Sequence, residues 1–240
     1  VPDSFTRAGS VWDTGALTVR QQLKDRYLGV TIADTSALTP AVARWIIATY
    51  TRAGDTVLDP QPGAGVALCE ALRARRHAVG IRPGYRWQTT CEANLTLARR
   101  AGANSNHTLL DHPGDTRVAE LPAAVDLVLT SLRHTPAADP SRAVSRLQGA
   151  LTPVANWVWP GGHVVITCRP WRQRDELVDL AGRIEQVAQA CGLVPVDQCV
   201  ALTKPLRTAA THLDVLVFAA PTAAVRSAAE PAPSQLAMAV

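Results

Sequence analysis

The chain has 240 residues, enough for one α/β domain with a substantial core, and 47% of them are hydrophobic against only 5% aromatic. No apolar run reaches membrane-spanning length and the opening VPDSFTRAGS has no secretory core, so no membrane partner is expected and cytoplasm is the expected compartment. A net charge of +4 with a pI near 9.0 leaves nucleic acid open as a partner without requiring it.

Residues 1–38 are polar, carry the basic group Arg20, Lys24 and Arg26, and read as an N-terminal arm or lid. A main domain is expected over 39–220. Thr39-Pro40 opens its first helix with a capping hydroxyl and proline at the first position, and 41–50 keeps helical apolar spacing. Gly54-Asp55 then turns into the short apolar run 56–58, a buried central strand closed by Asp59. Pro60 and Pro62 stiffen its exit. Gly63 and Gly65 flank Ala64 where the backbone must turn sharply, and a helix follows over 66–74. The remaining expected strands are 78–81 (ending at Ile81-Arg82), 108–110, 124–130, 163–168, 194–201 and 213–219. The remaining expected helices are 87–100, most of 143–159, and 176–191 stopped by Gly192. The Ala/Pro/Ser-rich stretch 221–240 is expected to be disordered.

Strands alternating with helices and closing on two consecutive strands give an α/β fold, a mainly parallel sheet with helices on both faces and a terminal hairpin. Ligands of such sheets lie beyond the carboxyl ends of the strands, here Asp59, Arg82, Asp111 and Ser131. A dinucleotide loop would need a third glycine where Leu68 stands, and Asp59 sits badly beside a pyrophosphate. The same carboxylate suits a ligand carrying an ammonium and a sulfonium. NADP binding stays as an alternative, because Arg82 could meet a 2′-phosphate. The five cysteines (Cys69, Cys91, Cys168, Cys191 and Cys199) form no CxxC pair. The spacing of His107, Asp111, His112 and Asp115 matches no common metal set, so no metal is expected.

The spacing Asp59-Pro60-x-x-Gly63-x-Gly65 resembles the cofactor loop of S-adenosylmethionine (SAM)-dependent methyltransferases. With ARWIIATYTRAGDTVLDP, NLTLARRAGA, DLVLTS and WPGGHVVITCRPWRQRDELVDLAG, the likeness extends over roughly 11–219. It is greatest to the DNA methyltransferases that modify exocyclic nitrogens of adenine or cytosine, and to related RNA methyltransferases. That resemblance implies a Rossmann-like class I methyltransferase fold with a seven-stranded sheet, SAM as cofactor, and contacts from Asp59, Pro60, Gly63, Ala64, Gly65, Ile81 and Arg82. It makes Asp115, or Asp111, the candidate for the adenine amino group, against a solvated loop carboxylate.

The family's Ser/Asp/Asn-Pro-Pro-aromatic tetrad falls on Ser131-Leu132-Arg133-His134, where only the first position matches. Ser131 and His134 are therefore the catalytic or substrate-contacting candidates. Arg82 stands where the family has an acid for the ribose hydroxyls, and Asp34-Thr35 where it has His-Pro. The expectation is methyl transfer to a base amino group. The competing expectation is a catalytically impaired fold that binds nucleic acid or protein without turnover. Arg172 and Arg174 are read as an exposed charged turn in preference to a phosphate contact.

Overall fold

The computed structural model describes residues 9–34, 36, 38–81, 84–121, 124–133, 139–204 and 211–221. The expectations for Arg82, His134 and the tail from 222 onward lie outside the described residues. In chain order the elements are β1 (Val11–Trp12), α1 (Val19–Leu23), a 3-10 turn (Gly29–Ala33), α2 (Pro40–Tyr50), β2 (Thr56–Asp59), α3 (Val66–Arg73), β3 (His77–Ile81), α4 (Gln88–Arg100) and β4 (His107–Leu110). After a second 3-10 turn (Thr116–Glu120) come β5 (Val125–Ser131), α5 (Pro140–Leu151), a third 3-10 turn (Ala155–Trp157) and β6 (Val158–Cys168). The chain continues through β7 (Trp171–Gln173), β8 (Glu176–Val178), α6 (Leu180–Ala190), β9 (Val194–Leu202) and β10 (His212–Ala219).

Among the described residues eight strands form one sheet in the order β1-β9-β10-β6-β5-β2-β3-β4. β10 runs antiparallel to both its neighbours, and the other pairs are parallel. Every residue of β2 is buried, as a central parallel strand covered on both faces requires. One face packs Ile46 and Ile47 of α2, Leu68 and Leu72 of α3 and Leu95 of α4. The other packs Leu147 and Leu151 of α5 with Leu180 and Ile184 of α6. The chain runs outward from β2 through β3 to β4 and then returns to the opposite side of β2 as β5. The strand order reverses between β2 and β5, which puts the ligand crevice of such sheets above Asp59 and Ser131.

The structure departs from the sequence reading in four places. The expected seven strands are present, and β1, within the N-terminal segment, extends the sheet to eight by pairing with β9. The helix expected over 143–159 begins earlier and stops at Leu151. Asp139 caps it and Pro140 takes its first turn, while Pro153 has no N–H with which to continue it. Trp159 and Pro160 then belong to β6. The helix expected from 176 starts only at Leu180, where Asp179 accepts from the Gly182 N–H at 2.8 Å. The residues before it form the β7–β8 hairpin, with Arg174 and Asp175 at φ +52° and +66° in its two-residue turn. Arg172 on β7 and Arg174 in the turn are therefore exposed residues of this hairpin, and Arg172 Nη1 donates to the Asp175 carbonyl at 3.0 Å.

Candidate functional site

Asp59 ends β2 at the strand-order reversal and is 3% exposed. Its Oδ1 accepts from the Gln61 N–H at 2.9 Å. Burial pushes its pKa up from 3.8 to about 6, against the opposing pull of Arg133 and of that N–H. The buried Thr130 hydroxyl beside it also lowers the value, although it makes no regular hydrogen bond. The carboxylate thus keeps its charge at neutral pH at a cost to stability.

The glycine loop beyond Asp59 is enclosed by the protein itself. Pro60 and residues 62–65 are buried. Arg133, which follows β5 by two residues, donates from Nε and Nη2 to the Gln61 carbonyl at 3.1 and 2.8 Å and pairs through Nη1 with Asp34 Oδ1. Asp34 Oδ2 in turn accepts from the Ala64 N–H at 2.7 Å. The segment carrying Asp34 is fastened by Asn94, which accepts from the Leu28 N–H and donates to Thr31 Oγ1 and the Ala64 carbonyl, each at 2.8 Å. Gly63 lies beneath the ion pair at φ +51°, and a methyl group there would overlap both side chains. Replacing Gly63 by alanine is expected to lower stability by about 1–3 kcal/mol, through the left-handed backbone and the displaced pair. A thermal melt measures this, and an unchanged midpoint would contradict the packing described.

Ser131 closes β5 and is buried, with Leu132 beside it fully enclosed in the core and its N–H bonded to the Thr167 carbonyl at 2.8 Å. Ile81 closes β3. Asp115 joins a different group. It caps the second 3-10 turn, accepts from the Asp111 N–H at 2.9 Å, and takes Nε and Nη2 of Arg117 at 3.1 and 2.6 Å. These bonds hold its pKa well below the usual carboxylate range. It borders a polar cleft of about 680 Å³ lined in part by Gln88, Glu92 and His107, away from the glycine loop. His112 of the expected polar loop accepts from the Gly114 N–H at 3.1 Å, and among the described residues no three acidic, His or Cys side chains gather to hold a metal. Burial pushes the Cys91 thiol up to about 12 and raises those of Cys69 and Cys168, which leaves them unreactive core groups.

The sequence reading assigned no role to Arg133, Asp34 or Asn94. An arginine two residues past an apolar strand is the one signal in the sequence for the first. Tyr85, after β3, is a further feature it did not single out: it is 98% exposed, next to Arg86, whose guanidinium lies 5.2 Å from the Trp87 ring centroid.

No family model and no curated protein matches the chain in sequence. Solved structures are similar in fold. The precorrin-6y C5,15-methyltransferase of Geobacter metallireducens GS-15 gives a TM-score of 0.55 at 12% identity, over 87% of this chain and 100% of that one. The magnesium protoporphyrin IX methyltransferase of Synechocystis PCC 6803, solved with bound SAM, gives 0.50 at 13% identity, over 75% of this chain and 76% of that one. TrmN from Thermus thermophilus gives 0.50 at 18% identity over 76% of this chain, which spans about half (49%) of the TrmN chain. Among the described residues no helix is long and apolar enough to cross a membrane. With the strand order above, these likenesses establish that the chain has the Rossmann-like class I methyltransferase fold.

Proposed function

We propose that the chain is a SAM-dependent methyltransferase acting on an exocyclic amino group of a nucleic-acid base. The observation that carries this reading is Asp59: a carboxylate kept ionised and enclosed at the end of the central strand, above which the strand order reverses. An asparagine would accept the same Gln61 N–H without the cost of burying a charge, and Arg133 offsets that cost only in part, so a cationic ligand is the further counter-charge that accounts for the anion.

The chemistry of the surrounding groups fits that ligand. The Ala64 N–H and the Gln61 carbonyl, held in this structure by Asp34 and Arg133, match a carboxylate and an ammonium, and the buried Thr130 hydroxyl lies beside Asp59. Pro60, Gly63 and Gly65 would shape the backbone against the cofactor, with Ile81 at the end of β3 toward its nucleoside. Bound SAM supplies an electrophilic methyl group on a sulfonium. The chain's share is positioning: Ser131 accepts a hydrogen bond from the attacking amine, and His134 is the candidate to take the proton that the amine loses. Tyr85 and Arg86 offer a stacking surface and a cation on the ligand side of the sheet, consistent with a base-bearing substrate.

A second reading, a methyltransferase fold that binds a partner without turnover, is favoured by the Asp34–Arg133 pair lying on the loop and by Leu132 buried where the tetrad has proline. Incubation with methyl-labelled SAM and unmethylated DNA or RNA separates the two. Label in the nucleic acid, reduced about 100-fold or more by Ser131→Ala, is expected. SAM binding with no label in either polymer would favour the second reading.

A further inference from the structure

Two hydrogen-bonding groups of the loop are taken by opposite charges that also pair with each other. The Ala64 N–H holds the Asp34 carboxylate, and the Gln61 carbonyl holds the Arg133 guanidinium. An acceptor anion on an N–H and a donor cation on a carbonyl, joined above one glycine, have the hydrogen-bonding pattern of an α-amino-acid zwitterion. Resting on the reading of this loop as a SAM site, we propose that the Asp34–Arg133 pair occupies the position of the cofactor's amino-acid end. The crevice as folded therefore takes an adenine nucleoside thioether without that tail, and admits the intact cofactor only when the pair parts.

Several contacts hold the pair in place. Asp34 Oδ1 also accepts from the Ser36 N–H at 3.0 Å. Arg169, just past β6, donates to the Ser36 carbonyl at 3.2 Å and stands close enough to Asp34 to feel its charge. Asn94 fixes the same segment from the α4 side. A ligand tail competes here with groups of the same chain, whose effective concentration is high, so the tail is penalised while the nucleoside is not.

The test is calorimetric titration of the full chain with 5′-methylthioadenosine and with S-adenosylhomocysteine, which differ in the amino-acid tail. The wild-type protein is expected to bind the tail-less nucleoside at least as tightly. In the double variant Asp34→Asn with Arg133→Met, which removes both charges and strands neither, the tailed ligand is expected to gain about tenfold or more over the tail-less one. A wild-type preference of about tenfold for S-adenosylhomocysteine would overturn this inference and leave the SAM reading standing. Failure of both ligands to bind either protein would overturn both. The wild-type ratio needs no variant, so the test survives misfolding of the double variant.

Discussion

Glu70→Ala is expected to lower the free energy of unfolding by about 3–5 kcal/mol, a large share of what a domain of this size has. Glu70 lies on α3, is 1% exposed, and is the meeting point of three side chains, two from the segment after α1 and one from its own helix. Arg26 reaches it at 2.8 and 3.0 Å, the Tyr27 hydroxyl donates to it at 2.6 Å, and Arg73 donates at 2.8 Å while lying over the Tyr27 ring. Removing the carboxylate leaves two guanidinium groups without their shared anion and a buried hydroxyl without its acceptor. Glu70→Gln keeps an acceptor for Tyr27 and is expected to lose less. Urea denaturation of the two variants checks the order, and a loss under about 1 kcal/mol for the alanine variant would mean that water replaces the carboxylate. The cluster matters to the crevice because Arg26 and Tyr27 anchor the segment that carries Asp34 to the glycine loop.

Asp59→Asn is expected to act in the opposite sense on stability while abolishing cofactor binding. The folded-state pKa of about 6 lies above the ordinary aspartate value of 3.8, so between those values the native protein holds this proton more tightly than the unfolded chain. Stability therefore falls as pH rises through that window, and the full penalty is present above it. Asparagine mimics the protonated acid and keeps an acceptor for the Gln61 N–H. At pH 7.5 the variant should gain about 2–3 kcal/mol, and the gain should fade below about pH 4. Denaturation curves at the two pH values measure it. A variant less stable than wild type at pH 7.5 would make the carboxylate a structural group and remove the argument for a ligand.

Local chemistry made much of the framework legible. Thr39-Pro40 can hardly do other than start a helix, and the apolar run before Asp59, bounded by Gly54-Asp55 and the proline-glycine loop, has few places to go in an α/β chain. Gly192, at φ +76°, stops α6 as expected. The errors fell where a local signal was missing or misleading. The β7–β8 turn uses Arg174 and Asp175 at positive φ in place of Asn-Gly, so its strands merged into the helical pattern after them. β1 has two residues, too few for any periodicity, and is defined by its register with Val200 and Ala201.

At the site, Asp59 and the two glycines could be read because strand, acid and loop are contiguous. Arg133 and Asp34 could not be read as partners, since 99 residues separate them and only the sheet order brings them together. Asn94 was hidden for a similar reason, as a polar residue within the apolar spacing of α4. Its amide satisfies three groups, two on the segment that carries Asp34 and one on the glycine loop, which neither spacing nor composition records.

Titration calorimetry of the full chain with SAM, S-adenosylhomocysteine and NADP in parallel tests the assignment of the Asp59 loop most directly. Saturable heat is predicted with both sulfur ligands, lost in Asp59→Asn, and none with NADP. Silence toward SAM and S-adenosylhomocysteine, or binding of NADP alone, would contradict it.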